Sequence, residues 1–199
     1  MPVVARVQQL WIFPVKSMRG ARVDTAQVVA GGLRGDRSWA VVDDSGTTVT
    51  AAEEPRLRQV ATRIVDGLVL VDVPGAAPGL RPEAAAGALS AWLGRPVRLA
   101  HREGTGFVDV APVHVVSTFS MADAAHAEKC DACDVREPRA NLVLELAPGG
   151  GAEREWLGGQ LSIGTATLPV VRHPDHCLGV YAEVATPGDV HVGDEVTLG

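Results

Sequence analysis

Val7-Gln8-Gln9-Leu10-Trp11-Ile12-Phe13-Pro14-Val15-Lys16-Ser17 is the stretch from which the rest of the chain can be read. Val7 to Phe13 is apolar enough to form a strand, and Pro14, which has no N–H to give to a ladder, ends it. Lys16 and Ser17 then stand at a strand end, where an ammonium beside a hydroxyl is suited to hold a phosphate or another anion. A solvent-facing turn lysine has the same local pattern. Lys16 and Lys129 are the only lysines of the chain, so a lysine-dependent site has few places to live.

Outward from this stretch, short β-branched runs recur: Val23 to Val29, Trp39 to Val42, Ile64 to Val73, Val113 to Val116, Leu142 to Leu146, Thr167 to Val171 and Val192 to Leu198. Turn signals separate them, among them Asp44-Ser45-Gly46, Pro74-Gly75 and Pro187-Gly188-Asp189, as expected of a strand-rich barrel or sandwich. Helical periodicity is confined to Pro82–Leu93 and Thr118–Lys129, with a shorter candidate over Ala152–Leu157. Pro82 suits a first helical turn, and Ser117 or Thr118 suits an N-cap. The polar, glycine-containing stretch Gly94 to Gly106 breaks the periodicity and reads as a connection between an N-terminal strand-rich half and a C-terminal half.

The chain has 199 residues, of which 46% are hydrophobic and 21% charged, enough to bury an ordinary core in one large or two small domains. Its formal net charge of -6 argues against broad capture of nucleic acid, which depends on cationic side chains displacing counterions. Three cysteines are too few for a disulfide scaffold, and their odd number fits a reducing, cytoplasmic setting. No apolar run approaches bilayer length and the start has no signal-peptide layout, so no membrane partner is expected.

Four further segments carry candidate chemistry. In Gly32-Leu33-Arg34-Gly35-Asp36-Arg37, glycines allow a tight turn and Asp36 can orient the guanidinium of Arg37; an Asp–Arg pair on a surface hairpin is the plainer alternative. Glu137-Pro138-Arg139-Ala140-Asn141 precedes an apolar strand, so Arg139 and Asn141 either project into a pocket or simply form the turn that starts that strand. Cys177 follows Arg172-His173-Pro174-Asp175-His176, cationic neighbours that favour a thiolate, the nucleophilic and metal-ligating form; a buried inert cysteine is equally compatible. His126, Cys130 and Cys133 have a zinc-like spacing but lack a fourth ligand unless Cys177, His173 or His176 supplies it.

Several of these segments, in order, resemble the MOSC family, named for the C-terminal domain of molybdenum cofactor sulfurases. The matching elements are the Val7 to Ser17 stretch, Gly32 to Arg37, Asp109, Arg139-x-Asn141, Leu161-x-Ile163-Gly164, Cys177, and Gly179-Val180-Tyr181 followed by Pro187 to Asp194. The resemblance implies a mainly β (α+β), barrel-like fold with a few short helices, an N-terminal MOSC-associated β-barrel over residues 1–99 and a MOSC domain over residues 100–199.

The functional resemblance is to the amidoxime-reducing members of that family, which bind a pterin-based molybdenum cofactor and reduce N-hydroxylated compounds. It implies that Lys16, Ser17, Arg37, Asp109, Arg139 and Asn141 face the cofactor and that Cys177 ligates molybdenum. The substrate would be a small molecule. Electrons would come from a separate reductase, since three cysteines cannot build a four-cysteine iron–sulfur site once Cys177 is committed and no dinucleotide fingerprint follows a strand. One departure from those relatives is a shortened segment after Cys177, which motivates a second expectation: a persulfide carrier served by a pyridoxal-phosphate-dependent cysteine desulfurase. A noncatalytic binding module that keeps the fold is the third.

Overall fold

The computed structural model describes residues 1–127, 139–175 and 178–199. In chain order the elements are β1 (Val3–Ile12), β2 (Ala21–Val23), β3 (Thr25–Val29), β4 (Gly32–Leu33), β5 (Trp39–Val42), β6 (Ala61–Val65), β7 (Leu68–Asp72), α1 (Pro82–Leu93), β8 (Arg98–His101), β9 (Val113–Ser117), α2 (Thr118–Ala127), β10 (Leu142–Leu146), β11 (Gln160–Ile163), β12 (Ala166–Arg172), β13 (Val180–Ala182), β14 (Gly188–His191) and β15 (Glu195–Leu198). Short 3-10 turns cover Pro55–Gln59 and Glu153–Trp156. The protein is strand-rich, as the sequence predicts, and contains a closed seven-stranded barrel. No helix among the described residues is long and apolar enough to cross a membrane.

The chain forms two compact units. One comprises Met1–Trp11, Arg22–Arg34 and Asp109–Gly199, and the other Ile12–Ala21 and Gly35–Val108. This spatial partition runs along different lines from a division at residues 99 and 100, because β1 takes its hydrogen-bonding partners from strands late in the sequence.

The first unit holds the barrel, whose strands run β10-β9-β13-β12-β11-β15-β1 and close through β1 on β10. A ring of strands must return to its starting direction, so an odd ring cannot be antiparallel throughout. Here six pairings are antiparallel, and the one between β9 and β10 is parallel. A parallel pair needs a long crossover. Residues 118–141 supply it, starting with α2, whose N-cap is Ser117: its hydroxyl accepts the Ser120 N–H at 3.0 Å. The same hydroxyl donates to the fully buried Glu153 carboxylate at 2.6 Å.

Strand β1 begins earlier than its apolar run announces. Val4 and Ala5 are consecutive yet both buried, because the ladder to β15 is irregular between Val3 and Ala5. The crossover ends at Asn141, and all four of its polar atoms are engaged. Its N–H donates to the His114 carbonyl at 2.8 Å and its carbonyl accepts the Trp11 N–H at 2.9 Å. Oδ1 accepts the His114 N–H at 3.1 Å, and Nδ2 donates to the Trp11 carbonyl at 3.3 Å. Asn141 therefore stitches the start of β10 to β9 on one side and β1 on the other.

The second unit is built on α1 and two antiparallel strand pairs, the long-range β5–β8 and the hairpin β6–β7. In α1, Pro82, Ala85, Leu89 and Leu93 share a buried face at helical spacing, and Gly94 ends the helix in the left-handed conformation. That face joins a core with Val15, Met18, Val41, Leu57, Val60 and Val71. The expected single strand Ile64 to Val73 is in fact a hairpin, because Asp66 and Gly67 both have positive φ and turn the chain. β8 falls inside the expected connecting loop, where it pairs with β5 from Trp39↔His101 to Val42↔Arg98.

The four bonds of Asn141 make it the most sensitive polar position of the barrel. Replacing it with Ala leaves the His114 N–H and the Trp11 carbonyl buried without these partners, and should lower stability by roughly 2–5 kcal/mol in urea unfolding of the intact chain. A midpoint equal to that of the unsubstituted protein would contradict this account.

Candidate functional site

Non-glycine residues with positive φ are uncommon because their Cβ crowds the backbone, and such strain gathers at functional positions. Among the described residues there are four: Ser17 (φ 68), Arg37 (φ 49), Asp66 (φ 50) and Arg139 (φ 56). Asp66 is accounted for by its hairpin turn. The other three are all residues singled out from the sequence.

In the second unit, Lys16, Asp36 and Arg37 gather around Phe13 and Phe107, and Ser17 follows Lys16 in the chain. The Asp36 carboxylate, 8% exposed, accepts the Phe13 N–H at 2.7 Å and also pairs with the Arg37 guanidinium. The Arg37 guanidinium lies 5.0 Å from the centre of the Phe13 ring. Backbone bonds pin the turn: the Arg37 N–H donates to the Phe13 carbonyl at 2.7 Å, and the Phe107 N–H donates to the Arg37 carbonyl at 2.8 Å. Lys16 Nζ donates to the Phe107 carbonyl at 3.1 Å, and Ser17 Oγ accepts the Ala51 N–H at 3.0 Å. Gly106 allows this approach, because a Cβ there would collide with the Arg37 carbonyl. Arg102, which sequence reasoning passed over, places its guanidinium 4.2 Å from the Phe107 ring centre.

This arrangement suits an anion. Among the described contacts, Arg37 pairs with Asp36, Lys16 reaches the Phe107 carbonyl and Arg102 lies against the Phe107 ring, so three cationic side chains gather at this turn. The buried Asp36 fixes the Arg37 guanidinium and the Phe13 N–H together. Elsewhere in this unit a polar basin of about 420 Å³ is lined by residues that include Asp43, Glu54, Arg56 and Arg95. Two of its acids are already served: the Ser45 hydroxyl holds Asp43 below the usual carboxylate range, and the Arg56 guanidinium does the same for Glu54.

In the first unit, Arg139 is half-buried and left-handed, and Asn141 is the seam residue described above. Its amide is committed to the backbone of β1 and β9, so Asn141 braces the Arg139 segment. Asp109 is exposed in the bend that precedes β9. Cys177, His176, Cys130 and Cys133 lie outside the described residues. Of the expected cationic neighbours of Cys177, Arg172 is paired with Asp175 at 2.8 Å, and the His173 ring donates to the Arg154 carbonyl at 2.8 Å. Leu178, the next residue after Cys177, is tied by its carbonyl to His114 Nε2 at 2.7 Å. His114 was not legible as a site residue, since a lone histidine in an apolar run gives no motif. No group of three or more His, Cys, Asp or Glu among the described residues is placed to hold a metal ion.

A strand-rich barrel protein with a strained, cation-rich turn is the class defined so far. Residues 4–95 match the MOSC N-terminal beta barrel domain. Over 76 residues the chain is 40% identical to the mitochondrial amidoxime reducing component 2 of Bos taurus, covering 36% of this chain and 23% of that protein. Over 58 residues it is 50% identical to the mitochondrial amidoxime-reducing component 1 of Homo sapiens, covering 27% of this chain and 17% of that protein. The matches thus span less than a quarter of either relative's length. The crystal structure of the YUAD protein from Bacillus subtilis shares the fold with a TM-score of 0.51 at 14% identity, covering 98% of this chain and 95% of that one.

Asp36 is the keystone of the cationic turn. Asp36→Ala removes the partner of the Phe13 N–H and of Arg37 together, and should cost roughly 2–5 kcal/mol in stability, whereas Lys16→Ala should cost about 1 kcal/mol or less. Equal urea midpoints for the two variants would refute this ordering.

Proposed function

We propose that this chain binds a pterin-based molybdenum cofactor and reduces N-hydroxylated or N-oxide small molecules with electrons from a separate reductase, in a cytoplasmic setting. The reading rests on the MOSC N-terminal beta barrel domain and the amidoxime-reducing relatives, and extends to residues 100–199 as a MOSC domain. The observation that supports it most is backbone strain. Among the described residues, the three left-handed non-glycine residues that no hairpin turn explains are Ser17, Arg37 and Arg139, each a position where the family resemblance expects cofactor contact.

When bound, the cofactor supplies the redox chemistry, in which an electron pair and protons cut the N–O bond and release water. The chain's own residues bind and orient. Lys16, whose ammonium reaches the Phe107 carbonyl, and Arg37, held in place by Asp36, are suited to the anionic phosphate end of the cofactor, with Ser17 assigned beside them by resemblance. By resemblance Arg139 and Asp109 are likewise assigned to the cofactor, and Asn141 keeps the Arg139 segment in register with β9 and β1. Cys177 is assigned as the thiolate that meets the metal.

Elemental and pterin analysis of protein made in a cofactor-competent host tests this reading. We expect near-stoichiometric molybdenum, lost in Cys177→Ala, and pterin retention reduced about tenfold in Lys16→Ala through loss of one charge-assisted contact. Wild-type protein devoid of both molybdenum and pterin would overturn it.

A second reading, a persulfide carrier, is favoured by the short path from Cys177 to β13, which begins at Val180. Incubation with a pyridoxal-phosphate-dependent cysteine desulfurase followed by mass spectrometry decides the matter: one added sulfur on Cys177 supports the carrier, and none removes it.

A further inference from the structure

Every residue of β9, Val113-His114-Val115-Val116-Ser117, is buried. A polar ring inside such a run costs desolvation energy unless it is hydrogen-bonded. His114, 5% exposed, rests against Tyr181 with ring centres 4.8 Å apart and presents Nε2 to the Leu178 carbonyl at 2.7 Å. A carbonyl only accepts, so Nε2 carries the hydrogen in this contact. The backbone of the same residue holds Asn141: its N–H donates to Oδ1 and its carbonyl accepts the Asn141 N–H.

Two further observations fix the segment that follows Cys177. Gly179 has a φ of 81°, and a Cβ there would collide with the Val115 carbonyl, so the backbone is pressed directly onto β9. The Leu178 side chain packs with Val116, Ala140 and Val143, alongside Trp11 and Met121. Leu178 is thus held at its carbonyl by His114 and at its side chain by residues from β9, β10 and the Arg139–Asn141 segment.

We propose that His114 is the positioning residue that indexes two functional segments to one strand: Arg139–Asn141 through its backbone, and the C-terminal flank of Cys177 through its ring. This rests on the reading of Cys177 as the working thiolate. Through the Leu178 carbonyl, His114 sets where the peptide that follows Cys177 can be. A buried histidine serving only to fill space would have no stake in the behaviour of that cysteine.

The test compares the wild-type chain with His114→Phe, which fills the space without a donor, and His114→Gln, whose side-chain amide can still donate to the Leu178 carbonyl. Variants are first matched by melting midpoint. The iodoacetamide alkylation rate of each cysteine is then read by peptide mass spectrometry in metal-free protein, and molybdenum retention is followed by gel filtration of protein from a cofactor-competent host. Loss of one hydrogen bond should raise the Cys177 rate about tenfold in His114→Phe, with Cys130 and Cys133 unchanged and His114→Gln restored to the wild-type rate. Molybdenum should be lost correspondingly faster from the Phe variant.

If Phe does not fold, His114→Asn, one methylene shorter than Gln, carries the same comparison. An unchanged Cys177 rate, equal acceleration of all three cysteines, or a Gln variant no better than Phe would overturn the positioning role. Wild-type protein without molybdenum would sink the cofactor reading while leaving the alkylation comparison decisive for His114.

Discussion

The constraint on which the barrel depends is one of direction. Seven strands close into a ring only if one neighbouring pair runs parallel, and here that pair is β9 with β10. A parallel pair cannot be joined by a tight turn, so the chain leaves the barrel through α2 and returns between β9 and β1. The returning segment must enter a gap flanked on both sides by strands whose polar groups await partners. Asn141 meets that demand with its backbone and its side chain, and Arg139 sits two residues earlier in a conformation that most side chains avoid. The strain at Arg139 and the bonding at Asn141 are two aspects of one closure.

The second unit solves a different problem with similar means. Its cationic turn keeps Arg37 in a left-handed conformation because several bonds over-determine the position: Asp36 to the guanidinium, Phe13 to the N–H, and Phe107 to the carbonyl. A left-handed non-glycine residue costs on the order of 1–3 kcal/mol, which such a set of contacts can offset. The same contacts hold the Arg37 guanidinium and the Lys16 ammonium in fixed positions. The turn is consequently organised ahead of any ligand, and an anion would find donors already oriented.

Much of this was legible in the sequence where a physical signal is local. The helix Pro82–Leu93 showed its limits through Pro82 and Gly94, and Trp39–Val42 and Leu142–Leu146 showed theirs through compact apolar runs. Ser17, Arg37 and Arg139 were found as motif residues, but their shared backbone conformation was not, because φ leaves no mark in a lone Ser or Arg. β8 was hidden: Arg98 and His101 are exposed, and its pairing with β5 comes from a partner more than fifty residues earlier. The Asp66-Gly67 hairpin was overlooked although its dipeptide carries the signal, since the apolar residues on either side masked it. His114 and the bracing role of Asn141 are tertiary facts that arise only once β1, β9 and β10 lie side by side.

The ladder between β1 and β15, with Val3 opposite Thr197, has a kinetic side. Contacts so distant along the chain are slow to form, since the entropy of closing a long loop must be overcome before any hydrogen bond rewards it. During synthesis β1 emerges before the other barrel strands yet cannot complete its pairing until β15 has left the ribosome. For that interval the apolar face of Val4, Val7 and Leu10 has no barrel to enter, and it is the part of the nascent protein that most needs shielding from aggregation.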